Sequence, residues 1–179
     1  MQLVLLGLGL VWVLSRGNVL GSVTTPQLPG AAGVVQTLGN MRAMVNGAIA
    51  DPLIRRYAVQ ATDHTGRHEA HQQALAIGEW VRRHVKYVPD PLGNEHLTNP
   101  ALLLKAHHEG RRVYGDCDDM AMVCAAMAKA IGLPVSFHAV GRGKRYHHVY
   151  AEVAGVPIDP TVSFGVQPFK PRAHFNLKV

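Results

Sequence analysis

The segment from Gly115 to Pro134 constrains the fold most, because both ends of a helix can be read in it. Asp116 is a predicted N-cap with a second acid, Asp119, three positions on, and Gly132 with Pro134 supplies the stop. Between them the apolar residues fall at helical spacing, at Met120, Val123, Cys124, Met127 and Ile131. We predict a helix with one buried face that opens at the sequence GDCDD.

Three short strands are predicted after this helix, over 135–140, 146–153 and 156–158, with turns at 141–144 and 154–155. They read as an antiparallel meander. Upstream, helical spacing recurs over 34–49 and 71–88, and a short helix starts at Asn99-Pro100 and runs through Leu104. Helices that precede strands along the chain indicate an α+β domain.

The chain begins with an apolar run over residues 3–14, followed by a stretch rich in Gly, Ser, Thr and Pro over 17–33. The run has the length of a signal-peptide core or a buried helix and is shorter than the roughly 20 residues that span a bilayer. We divide the chain into an apolar segment at 1–16 (signal, anchor or partner-binding), a linker with a lead-in helix at 17–50, and a catalytic domain at 51–179.

Charge and cysteine usage exclude some classes of protein. The formal charge of +6 comes from 18 basic and 12 acidic residues that are dispersed, without a nucleic-acid-binding motif, so no specific nucleic-acid partner is expected. Cys117 and Cys124 would lie about 10 Å apart along one helix, which is too far for a disulfide. A disulfide scaffold within one chain is therefore excluded.

Cys117 falls in the first turn of its helix, where unpaired N–H groups and the helix dipole stabilise a thiolate and could hold an oxyanion. Cys124 is read as a core residue. A thiol nucleophile needs a base and a carboxylate that orients the base. His147 or His148 could be the base, and Asp159 the carboxylate, although an aspartate before a proline is often only a turn former.

Two points stay open at the level of the residues. Neighbouring residues of a strand point to opposite faces, so only one of His147 and His148 can meet Cys117, and alternation does not choose between them. The acids Asp116, Asp118 and Asp119 are ordinary capping and first-turn residues, yet negative charge beside Cys117 would oppose thiolate formation.

A metal site is the chemical alternative, because Cys, His and Asp all bind zinc and the chain has eleven histidines. However, there is no CxxC and no HExxH, and the histidine groups lack a thiolate partner. We expect neither a metal nor a cofactor.

The motifs GDCDD, HHVYAEV and PIDPTV together resemble the transglutaminase-like superfamily, in particular its small bacterial and phage members related to cysteine peptidases. The resemblance covers roughly residues 51–165. It implies a papain-like or transglutaminase-like core, in which the nucleophile helix packs on a small antiparallel sheet. It also implies Cys117 as nucleophile, His148 as base and Asp159 as the orienting residue of a Cys-His-Asp triad. Tyr150 stands where the family usually has tryptophan, and Asp116 where crosslinking members have glutamine.

The activity that the resemblance implies is thiol-dependent acyl transfer on a peptide or protein substrate, with hydrolysis of a peptide or amide bond favoured over crosslinking. The alternative is a structural or adaptor component of a phage particle or cell envelope with little or no turnover. In that role the N-terminal segment would contact virion or envelope proteins. A virion, cell-envelope or secreted location is expected rather than the free cytoplasm.

Overall fold

The computed structural model describes residues 21–26, 28–142, 145–162 and 173–179, so the predicted apolar segment at 1–16 lies outside it. The elements are β1 Val23–Pro26, α1 Gly30–Ala48, α2 Pro52–Thr62, α3 Ala70–His84, β2 Val85–Tyr87, β3 Asn94–Leu97, α4 Pro100–His108, β4 Val113–Gly115, α5 Cys117–Ala130, β5 Val135–Arg142, β6 Arg145–Val153, β7 Val156–Ile158 and β8 Ala173–Lys178. The described part of the chain is thus an α+β fold, as predicted.

Helix α5 lies at the centre of the fold and begins where the sequence predicts, directly after Asp116. All its residues at 118–128 are buried, so the prediction of a single buried face was wrong. Helices α1 to α4 contact it, and so do strands β5 and β6, which leaves no side of the helix for water. Its many alanines suit this position because their small side chains allow close approach from several directions.

The main sheet has the strand order β7-β6-β5-β8 and is antiparallel throughout. The predicted meander of β5, β6 and β7 is confirmed, and β8 adds a fourth strand at the edge of β5 that sequence patterning did not predict. The register between β5 and β6 shifts by one residue, since Val140 faces His148 whereas Gly141 faces Tyr146. This β-bulge falls at His147 and bends the strand next to the candidate site.

Helix α3 is shorter than the helix predicted over 71–88, because it ends at His84 and the chain continues as strand β2. Residues Val85 and Tyr87 pair in parallel with Val113 and Gly115 of β4. The backbone groups of 85–87 are therefore used in a ladder with a distant strand, which helical periodicity alone cannot reveal.

The region predicted as a linker over 17–33 contains strand β1, which pairs antiparallel with β3. Helix α1 starts at Gly30, four residues before the predicted helix, and its buried residues Leu38, Met41 and Val45 join the same core as α5. Helix α2 was not predicted. Among the described residues, no helix combines the length and the apolar character needed to cross a membrane.

Candidate active site

Cys117 is the first residue of α5 and follows strand β4 after one intervening residue, Asp116. Close packing explains why the GDCDD motif begins with glycine, because a methyl group at Gly115 would lie 2.7 Å from Asp119 Cβ. Asp119 Oδ1 in turn accepts a hydrogen bond of 2.7 Å from the N–H of Thr98, just after β3. Strands β3 and β4 are thus held against the start of the helix that carries the thiol.

The N-terminal donors of α5 are largely consumed by its own cap. Asp116 Oδ1 accepts from the N–H groups of Asp118 (3.2 Å) and Asp119 (3.4 Å), and the Asp116 carbonyl accepts from Met120. The N–H of Cys117 is the first-turn donor that the cap leaves over in the described structure. The sequence predicted that several N–H groups of this turn could hold an oxyanion. In the described structure the cap leaves one of them, the N–H of Cys117, for that role.

His148 and Asp159 are joined by a short hydrogen bond. His148 Nε2, on β6, lies 2.5 Å from Asp159 Oδ2, directly after β7, and the Asp159 side chain is 3% exposed. The N–H and hydroxyl of Thr161 both donate to the other oxygen, Asp159 Oδ1, at 3.1 and 2.6 Å. Burial raises the pKa of Asp159, but the bonds from His148 and Thr161 outweigh it and hold that pKa below its ordinary value.

One cavity of about 730 Å³ brings Cys117 and His148 together. Tyr146, His147 and Val149 also line it, so four consecutive residues of β6 border the same space. Strict alternation would forbid this arrangement, and the β-bulge at His147 accounts for it. The backbone N–H of Val149 is directed at the Cys117 thiol, which couples the strand to the start of the helix.

The second wall of the cavity comes from the segment that runs from the end of β2 to α4 and from the residues around the start of α1. Tyr87, Asp90 and Glu95 belong to the first, and Leu28 and Val34 to the second. The N–H of His96 donates to Asp90 Oδ2, which fixes the loop between β2 and β3. The residues near α1 precede the stretch that the resemblance covers, so nothing in the motifs could have assigned them to the site.

Carboxyl groups crowd the start of α5. Asp116, Asp118 and Asp119 are all buried and offer oxygen atoms within 4.8 Å of one another, close enough to share one metal ion. Burial, together with the carboxyls of Asp116 and Glu95, raises the pKa of Asp118 well above its ordinary value. Burial also raises the pKa of Asp119 to about 8. The sequence analysis counted aspartate among possible metal ligands but argued from cysteine and histidine motifs, and it did not consider the three acids of GDCDD as one group.

The thiol of Cys117 does not show the lowered pKa that its place at a helix N-terminus predicts. Burial, and then the charge of Asp116, raise the pKa of Cys117 to about 12, against the N–H of Val149, which lowers it. The desolvation of the thiolate and the nearby carboxylates therefore outweigh the helix dipole. Cys124 is fully buried, as expected of a core residue, and both thiols are free.

Tyr150, the aromatic residue of the strand motif, stacks on His138 with ring centroids 5.2 Å apart and an angle of 13° between the planes. His138 Nε2 also lies 3.5 Å from Glu152 Oε2. The tyrosine and the glutamate of the motif thus support the outer face of the sheet beside His148. Thr161 is the contributor that sequence reasoning overlooked, although the DPT motif contains it.

The sequence profile described as the transglutaminase-like superfamily matches residues 56–160. The chain belongs to the transglutaminase-like superfamily. The match contains Cys117, His148 and Asp159, and it confirms the family that the three motifs indicated. No curated protein sequence matches the chain.

Two solved structures are similar to this chain. A candidate cysteine protease from Cytophaga hutchinsonii has a TM-score of 0.47 and 17% identity, over 78% of this chain and 49% of that one. A candidate protease from Parabacteroides distasonis has a TM-score of 0.43 and 16% identity, over 65% of this chain and 25% of that one. The chain thus spans about half and a quarter of their lengths.

Proposed function

We propose that the protein is a thiol-dependent acyl transferase that hydrolyses a peptide or amide bond, with Cys117 as nucleophile, His148 as general base and Asp159 as the orienting carboxylate. The observation that carries the proposal is the shared cavity of Cys117 and His148, with His148 held through Nε2 by a buried aspartate. Membership of the transglutaminase-like superfamily supports it.

The bond to Asp159 supports an assignment of the ring nitrogen that exchanges protons in the proposed reaction. Since Nε2–H donates to the carboxylate, Nδ1 is the nitrogen that exchanges protons with the thiol. As the Cys117 proton passes to Nδ1, the Sγ–C bond forms at the substrate carbonyl. The C–N bond then breaks, the amine leaves with that proton, and a thioester remains.

Hydrolysis completes the cycle when water attacks the thioester. Nδ1 takes a proton from the water as the C–O bond forms, the C–S bond breaks, and the proton returns to the sulfur. The N–H of Cys117 is positioned to support the oxyanion, because the helix cap does not use it. The high pKa of Cys117 means that proton transfer to His148 must accompany attack in this arrangement of the site.

The test is labelling with iodoacetamide followed by peptide mapping, combined with cleavage of a peptide mixture that is read by mass spectrometry. Cys117→Ala should lose both labelling at position 117 and cleavage, whereas Cys124→Ala should keep both because Cys124 is a fully buried core residue. Cleavage that persists unchanged in a folded Cys117→Ala protein would overturn the proposal.

We propose as the alternative a structural or adaptor component of a phage particle or cell envelope, and one observation supports the low turnover that this role implies. The pKa of Cys117 is raised to about 12, which disfavours a resting thiolate. If this role holds, Cys117 should alkylate no faster than Cys in an unfolded peptide, and the protein should co-purify with particles or envelopes. Its location at a virion, an envelope or outside the cell belongs to the same proposal.

A further inference from the structure

The carboxyl group of Asp118 is buried in the site and has an oxygen atom that accepts no hydrogen bond from the described residues. The residue is 2% exposed, it lines the cavity, and its Oδ1 has no hydrogen-bond partner in the part of the chain that the structure describes. Its carboxyl makes side-chain hydrogen bonds with the carboxyls of Asp116 and Glu95, which requires a proton on one partner of each pair. The remaining oxygen, Oδ1, is buried without a donor, and this costs free energy unless something supplies a donor or a positive charge.

The surroundings of Asp118 supply no permanent positive charge, since the basic residues described at the cavity are the histidines His147 and His148. Asp90, Glu95 and Asp116 also line the cavity, whereas no lysine or arginine of the described residues does so. This cluster of acidic residues is a local feature of the cavity, whereas the chain as a whole carries a formal charge of +6. Beside Cys117 the cavity therefore contains the buried carboxyl groups of Asp116 and Asp118, at the start of α5, and the carboxyl group of Glu95 from β3.

We propose that Glu95, Asp116 and Asp118 form a subsite for a cationic group of the substrate, either a lysine or arginine side chain or a free amino terminus next to the scissile bond. This subsite rests on the proposed function and names the class of peptide that the same site accepts. A cation placed there supplies the donor that Asp118 Oδ1 lacks and can take the place of the proton that this buried carboxyl otherwise keeps.

The opposite wall restricts what accompanies the cation. Leu28, Tyr87 and Leu92 line the cavity and are 47%, 48% and 102% exposed. Such a rim favours apolar groups on the part of the bound substrate that extends out of the acidic pocket. The expected peptide therefore has a positive charge close to the bond that is cleaved and apolar residues farther away.

The first experiment measures the pocket without requiring turnover. Cys117 is labelled with cationic aminoethyl methanethiosulfonate and with anionic sulfonatoethyl methanethiosulfonate, and the ratio of the two rates is divided by the same ratio for a small free thiol. We expect a corrected ratio of about ten in favour of the cation, and a decrease of about threefold in Glu95→Gln. Glu109→Gln removes a carboxylate that pairs with Arg111 outside the cavity, so it should leave the ratio unchanged.

The second experiment uses a peptide mixture with and without acetylation of its amino groups. Cleavage should concentrate near lysine, arginine or free amino termini, and acetylation should suppress the lysine and terminal sites while arginine sites persist. Glu95→Gln should weaken the preference without abolishing cleavage. Because the labelling ratio does not depend on hydrolysis, a failure of the proposed function leaves this inference independently measurable.

Three outcomes would overturn the subsite. One is a corrected ratio near one in the wild type, and another is a cleavage pattern indifferent to positive charge. The third is a cationic preference that disappears when micromolar Ca²⁺ or Mg²⁺ is added, because the carboxyls would then hold a metal ion instead of a substrate group.

Discussion

Gly78 of α3 lies directly against Ile158 of β7, so that a methyl group at position 78 would be 2.6 Å from Ile158 Cγ2. Ile158 is the residue before Asp159, and its β-branched side chain has little freedom to move away. The absence of a side chain at Gly78 therefore sets the depth at which β7 packs, and with it the place of the carboxylate that binds His148.

Gly78→Ala should consequently disturb the site from a distance. We expect a loss of about 1–3 kcal/mol in the free energy of unfolding, and slower labelling of Cys117 as Asp159 is displaced. Gly39→Ala is the matched control, since no atom lies within 4 Å of a methyl group there. That variant should gain about 0.5–1 kcal/mol from helix propensity. Equal stability changes in the two variants, measured by urea unfolding, would contradict the argument.

Thr161 should act as a positioning residue through Asp159. Thr161→Val removes the hydroxyl that donates to Asp159 Oδ1 at 2.6 Å, and we expect cleavage to slow by about 3–30-fold with KM little changed. Thr161→Ser keeps the donor and should behave like the wild type.

The pH dependence distinguishes this role from a merely structural one. The folded pKa of Asp159 lies below its ordinary value, so the stabilisation it gives is present at neutral pH and is lost as the pH falls through that folded pKa. Removing one donor raises the pKa, so Thr161→Val should lose thermal stability and Cys117 labelling at a higher pH than the wild type. Identical acid profiles of the valine and serine variants would contradict the role.

Asp118→Asn should stabilise the protein. The raised folded pKa means that the native state keeps a proton on Asp118, and the stability this gives is present at low pH and is lost as the pH rises above the ordinary value. An uncharged amide avoids that loss, so we expect the melting temperature near pH 8 to increase by about 2–6 °C, with a smaller gain near pH 5. Asp63→Asn, at an exposed position, serves as the control. A lower melting temperature of Asp118→Asn at both pH values would contradict the prediction.

His107 should make the stability of the folded protein sensitive to acid. It packs edge-on against Trp80 at 5.2 Å and against His84 at 4.8 Å, and burial, followed by the charges of His84 and His108, lowers its pKa. The unfolded chain therefore binds protons more readily, and stability falls as the pH drops below the ordinary histidine value of about 6.5.

His107→Phe should reduce the fall in melting temperature between about pH 7.5 and pH 5.5 while keeping the aromatic packing. His71→Gln changes an exposed histidine of α3, the helix that carries Trp80 and His84, and should leave the acid sensitivity unchanged. If both variants keep the wild-type pH slope in a thermal denaturation series, the acid sensitivity arises elsewhere.

Local chemistry explains which parts of this protein could be predicted from its sequence. The start of α5 at Cys117 follows from the Asp116 cap, and the meander from β5 to β7 follows from short alternating runs with turns between them. Both depend on residues that are close in the chain. The motifs around Cys117, His148 and Asp159 likewise sufficed to indicate the family.

The rest was decided by tertiary structure, because it depends on partners that are distant in the chain. The bulge at His147 overrides the alternation of β6, and Glu95 reaches the start of α5 from a strand that periodicity did not indicate. Burial on every side of α5 likewise follows from packing. The same burial, with the nearby carboxyls, raises the pKa of Cys117, whereas the sequence alone set the helix dipole against the neighbouring acids and left the direction of the pKa shift open.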